Sequence, residues 1–83
     1  MKKVESIDDL AEILKDGETK EFFIQLNYGV RSSKYIALLE TKRFWVWNLV
    51  DDSEQRLTRK QLMDPNKTNI GLAIEKGALY YDD

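Results

Sequence analysis

Three carboxylates fall within four residues, at Asp51, Asp52 and Glu54. Oxygen ligands of this kind suit hard cations such as Ca²⁺ or Mg²⁺. The spacing departs from the calcium-binding helix-loop-helix pattern, and the glycine that permits its sharp turn is missing. Two such acids could also exchange protons with a substrate. A carboxylate does that near neutral pH only when burial raises its pKa. Consecutive acids in a polar loop are the opposite setting, so a solvated turn is expected, with no metal.

Arg31, Ser32, Ser33 and Lys34 form a second group. Without histidine, a serine nucleophile needs lysine as its base, and the Ser-x-x-Lys spacing of serine–lysine enzymes is absent. The glycines (Gly17, Gly29, Gly71, Gly77) are scattered, so no phosphate-cradling loop is present. The four residues could still hold a phosphate through hydroxyls, backbone N–H groups and charge. An ordinary hydrophilic loop is the plainer alternative.

The third group is Phe44-Trp45-Val46-Trp47. On a strand, residues two apart point the same way, so the tryptophans share a face. Lys34, Lys42 and Arg43 lie near them. Aromatics beside bases suit a platform on which nucleic-acid bases stack. Tryptophan is equally a hot-spot residue of protein interfaces and an efficient filler of a small core. The glycine-flanked aromatic motifs of RNA-recognition strands are absent.

Composition narrows these options. The chain has 83 residues, no Cys and no His. That length makes one domain, residues 1–83. Lack of Cys excludes a disulfide framework, thiolate metal sites and cysteine nucleophiles. Lack of His removes the commonest general base. A formal net charge of −2 argues against non-specific nucleic-acid binding, which draws on excess positive charge. Met1-Lys2-Lys3 is followed by acids rather than an apolar run, so no secretion signal is read. The longest apolar run is Ile36 to Leu39, too short to span a membrane. The expected location is cytoplasmic, or the host cytoplasm for a phage-borne gene.

The elements that must position these residues can be read in turn. Residues 6–16 read as a helix. Ser6 is its N-cap and Asp8 and Asp9 occupy the first turn. Ile7, Leu10, Ala11 and Leu14 make one stripe, and Gly17 serves as the stop. Residues 21–28 read as a strand with Phe22, Ile24, Leu26 and Tyr28 on one face. Gly29 and Arg31-Ser32-Ser33 read as a turn or loop. Residues 34–40 and 43–50 read as a hairpin with Thr41-Lys42 near its tip. Thr-Lys is not a favoured two-residue turn, so a longer or bulged loop fits as well. A two-residue turn would pair Leu38 with Trp45 and Ile36 with Trp47 on one face. The other face would then hold Leu39 with Phe44 and Ala37 with Val46. Both faces are apolar, so either helices cover both or one is a partner surface.

Asp51 to Gln55 read as a polar loop. Thr58 with Gln61 fits a capping box before Leu62-Met63. Asp64-Pro65-Asn66 reads as a turn. Thr68 or Asn69 then caps a third helix over 69–76, with Ile70, Ala73 and Ile74 inside and Gly77 as the stop. Gly71 within it suggests a close approach to another element. Residues 78–81 read as a closing strand, and Asp82-Asp83 are expected to fray. The order is α-β-β-β-α-α-β. That is an α+β fold, a three- to four-stranded antiparallel sheet packed with an N-terminal helix and two short C-terminal helices.

Three stretches carry a resemblance. They are Arg31-Ser32-Ser33-Lys34, Asp51-Asp52-Ser53-Glu54-Gln55 with Leu57-Thr58, and Thr68-Asn69-Ile70-Gly71 leading to Gly77-Ala78-Leu79-Tyr80. Through them the chain resembles a small uncharacterised family of bacterial and phage genomes. The resemblance implies a compact cytosolic accessory protein and brings no activity with it.

The expected function is non-enzymatic, a small interaction module that binds a protein partner or its own copy without a cofactor. Trp45, Trp47, Ile36 and Leu38, rimmed by Lys34 and Arg43, are the candidate surface. The alternative is a phosphate or nucleic-acid ligand on Arg31, Ser32, Ser33, Lys34, Lys42, Arg43 and Arg56.

Overall fold

A computed structural model describes residues 1–27, 30–40 and 42–82, with the side chains of all but residues 26, 27 and 30. The expectations for Tyr28 and Gly29, for Thr41 at the hairpin tip and for a fraying Asp83 lie outside the described residues.

The first helix, α1 (Ile7–Ile13), begins where the sequence places its cap. Ser6 Oγ accepts from the Asp9 N–H at 3.0 Å, and Asp9 Oδ2 accepts from the Glu5 N–H at 2.9 Å. The first bond satisfies one of the orphan donors at the helix start, and the second ties down the residue before the cap. Gly17 has φ 78° and ends the turn after the helix. The last turn of α1 holds no base. Lys20, from the following strand, supplies one. Its Nζ donates to Ile13 O at 2.8 Å and to Asp16 Oδ2 at 3.0 Å, where the helix dipole favours a cation.

The expected α+β class stands, but the sheet is larger than expected. The described residues form six antiparallel strands: β1 (Lys2–Lys3), β2 (Lys20–Asn27), β3 (Val30–Leu39), β4 (Arg43–Asn48), β5 (Ser53–Thr58) and β6 (Leu79–Tyr81). Their spatial order is β1-β6-β2-β3-β4-β5. Two strands escaped the sequence reading. β1 is only two residues long and pairs Lys2 with Tyr81. β5 covers most of the expected polar loop, because as an edge strand it exposes charged side chains while its backbone pairs with β4. β3 also begins earlier than expected, so Arg31-Ser32-Ser33 lie in a strand and not in a loop.

The hairpin register differs from the two-residue-turn reading by one position. Leu39 pairs with Arg43, Leu38 with Phe44, Ala37 with Trp45, Ile36 with Val46 and Tyr35 with Trp47. Three residues, 40–42, connect the strands, and Glu40 takes a left-handed φ of 52°. Because side chains alternate, a one-residue shift moves every ring of β4 to the other face relative to β3.

One face of the sheet is covered. Phe22, Ile24, Ile36, Phe44, Val46, Leu57 and Leu79 bury there against Leu10 of α1 and Leu14 at its C-cap, Leu62 of α2 (Arg59–Leu62), and Ile70, Ala73 and Ile74 of α3 (Ile70–Glu75). Thr58 and Gln61 form the expected capping box of α2. Asn69 stands at the N-cap position of α3 without a side-chain bond, and Thr68 Oγ1 instead accepts from the Ile70 N–H at 3.4 Å. Gly71 marks the anticipated close approach. A Cβ there would lie 2.5 Å from Met63 Cα and 2.9 Å from Leu62 O.

Candidate functional site

Alternation along β3, β4 and β5 sends a second set of side chains to the other side of the sheet. These are Tyr35, Ala37 and Leu39 from β3, Arg43, Trp45 and Trp47 from β4, and Glu54, Arg56 and Thr58 from β5. Among the described residues no helix contributes a core side chain to this side. Tyr35, Trp45 and Trp47 are only partly buried.

The three rings form a row. Tyr35 and Trp47 lie with centroids 5.5 Å apart at 30°, and Trp45 and Trp47 lie 6.3 Å apart at 36°. Such tilted contacts suit the ring quadrupoles. Both indoles are pinned. Trp45 Nε1 donates to Glu54 Oε1 at 2.9 Å, a diagonal reach, since Trp45 itself stands opposite Arg56. Trp47 Nε1 donates to Asp52 Oδ1 at 2.8 Å. Asp52 holds a left-handed φ of 59° in the β4–β5 turn, a conformation aspartate tolerates better than most residues. Trp45, Trp47, Asp52 and Glu54 line a cavity of about 330 Å³.

At the opposite end of the strands Leu39, Glu40, Lys42, Arg43 and Arg56 line a second cavity of about 400 Å³. The face is therefore polarised along the strands, basic by the β3–β4 loop and acidic by the β4–β5 turn. Toward β2, the Arg31 guanidinium sits 4.7 Å over the Phe23 ring, a cation–π contact. Its Nη2 also lies 3.2 Å from Met1 Sδ.

The structure separates several residues that the sequence reading grouped. Trp45, Trp47 and Arg43 share the uncovered face. Ile36 is fully buried on the covered side and Leu38 packs against the same core. The expectation that these two flank the tryptophans is corrected by the three-residue loop. Lys34 also lies on the covered side, 7% exposed, opposite Phe22 and Asn48. Burial pushes its pKa below the ordinary lysine value, opposed in part by Asp51. The proposed phosphate set is split in the same way. Ser32 and Lys34 alternate with Arg31 and Ser33 along β3, while Lys42, Arg43 and Arg56 meet at the far end of the open face.

The three clustered acids have separate partners. Asp51 Oδ1 accepts from the Ser53 hydroxyl at 2.6 Å and the Ser53 N–H at 3.0 Å. These bonds, hydroxyl first, hold its pKa below the usual carboxylate value. Asp52 and Glu54 hold the indoles. Among the described residues no group of three or more potential ligands is arranged for a metal ion, and no helix is long and apolar enough to cross a membrane. Tyr35 was missed as a member of the aromatic row, although it shares strand parity with Ala37 and Leu39. The indole–carboxylate bonds carry no sequence signal beyond the nearness of Trp and acid.

Comparison with protein-family models, with curated proteins and with solved structures finds no match for this chain, so the functional reading rests on the geometry of the open face.

Proposed function

We propose that the protein is a non-enzymatic interaction module whose contact surface is the uncovered face of the sheet, centred on Trp45 and Trp47. The observation that carries this reading is the row Tyr35–Trp47–Trp45 on a face to which no helix among the described residues contributes a core side chain. Partly buried aromatic rings held in fixed orientations lose little conformational freedom on binding, which is why such rings anchor interfaces. The charged rim of Arg43, Arg56, Asp52 and Glu54 can fix the orientation of a partner. Missing His and Cys, and carboxylates committed to indoles and a turn, support a binding role over catalysis. The resemblance to a bacterial and phage family fits an accessory role in a cytoplasm.

Tryptophan fluorescence of the monomer tests the reading. Emission from partly exposed indoles, quenched by neutral acrylamide, is expected, with a blue shift once a partner is bound. Blue-shifted, unquenchable emission from a proven monomer would leave no aromatic contact surface.

A second reading has one observation in its favour. Lys42, Arg43 and Arg56 gather beside Trp45, as a phosphate-bearing ligand stacking a base on the ring would require. Asp52 and Glu54 on the same pair of rings oppose it. It requires oligonucleotide affinity that falls steeply with salt, and absence of binding at low salt eliminates it.

A further inference from the structure

We infer that the occupant of the open face is a second copy of the same chain, docked face to face about a two-fold axis; this rests on the reading of that face as a contact surface. Two sheets in contact through the same face must be related by an axis lying in the plane of the face. Take that axis to run across the strands, between Trp45 and Trp47. It then preserves each strand's lateral place and reverses its direction.

The strand register determines which residues meet across this axis. Arg56 stands opposite Trp45, and Glu54 opposite Trp47. The axis therefore brings Arg56 of one copy onto Glu54 of the other, twice. Trp45 meets Trp47 of the second copy. Tyr35, level with Trp47, comes over the place of Ala37, level with Trp45, which is itself only 3% exposed. Arg43, one step beyond Trp45, falls at the level of the turn that holds Asp52. Base meets acid, and indole meets indole, without any shift of register.

The contact is confined to the β3–β5 part of the face, so a dimer weaker than one with a standard interface of roughly 800 Å² per partner is expected. The remaining charges on this face, Glu21, Arg31 and Lys3, lie on the β1–β3 side, with Arg31 engaged over Phe23.

Sedimentation velocity with charge reversal tests the inference. Wild type is expected to dimerise between micromolar and near-millimolar concentration. Arg56→Glu and Glu54→Lys each place like charges together twice and are expected to weaken the dimer roughly tenfold or more. An equimolar mixture of the two variants is expected to form a heterodimer, and the double variant R56E/E54K to regain the homodimer. Far-UV circular dichroism checks that each variant is folded, and the R56E arm leaves both indole bonds in place should E54K misfold. A wild type that stays monomeric throughout overturns self-docking alone and leaves the face to a different partner. A dimer that survives both reversals, with tryptophans as open to acrylamide as in the monomer, overturns self-docking and the contact-face reading together.

Discussion

Phe44 and Trp45 are consecutive in β4 and lie on opposite sides of the sheet, Phe44 fully buried under the helices and Trp45 on the face that no helix covers. Substitution should separate their roles. Phe44→Ala removes a ring from a close-packed core and is expected to cost about 3–5 kcal/mol, most of the stability of an average small domain. Trp45→Ala is expected to cost about 1 kcal/mol while abolishing association through the face. Urea unfolding of both variants, alongside sedimentation of Trp45→Ala, makes the comparison.

Gly71→Ala provides a second test. In an exposed helix interior, Ala in place of Gly stabilises by about 1 kcal/mol. Here the added Cβ meets the backbone of Met63 and Leu62, which cannot rotate away. A net loss of about 1–2 kcal/mol is expected from overpacking, read as a lower urea midpoint with unchanged m. An increase in stability would mean that α2 and α3 separate more readily than their packing indicates.

The α2 cap yields a third. Gln61 N–H donates to Thr58 Oγ1 at 3.3 Å, and Thr58 N–H donates to Gln61 Oε1 at 3.0 Å. Thr58→Ala removes one of these bonds and is expected to cost about 1 kcal/mol, whereas Thr58→Ser should retain most of it. Thermal unfolding of the pair separates cap loss from a general effect of the site.

Lys34 ties stability to pH. Its folded pKa lies below the ordinary value of 10.5, from burial first, with Asp51 opposing. The unfolded chain therefore binds the proton more tightly. The cost of burying the ammonium applies in full below the folded pKa and is relieved as pH rises from there to 10.5. Asp51, whose carboxyl is held low by Ser53, acts at the other end. Its contribution is present above the ordinary carboxylate pKa and is lost as pH falls through the folded one. Lys34→Met is expected to raise stability at neutral pH by about 1 kcal/mol and to flatten the alkaline limb. Asp51→Asn should flatten the acid limb. Denaturant melts from acid to alkaline pH check both.

The local signals were legible where a few neighbouring residues decide the outcome. Ser6, Gly17 and the Thr58–Gln61 pair specify α1 and α2 through short-range bonds, and Gly71 announced a close approach. The sheet was harder because its pairing is decided by distant residues. Lys2-Lys3 has no strand pattern of its own and becomes β1 only because β6 offers a partner. Ser53–Thr58 is polar or charged except for Leu57, too little apolar pattern to read as a strand, and it becomes one by pairing with β4. The hairpin reading recognised two apolar faces and left the loop length open. That one residue decided which of Ile36 and Tyr35 stands beside the tryptophans.

The three-residue connection from Glu40 to Lys42 therefore governs more than the bend of a hairpin. Gaining or losing a single codon there would exchange inside for outside along the whole of β4. Phe44 and Val46 would turn to water, and the two indoles would be pressed against the helices. Changes of length in this loop should be purged, and at Glu40 the left-handed φ of 52° should favour Gly, Asn or Asp over branched side chains.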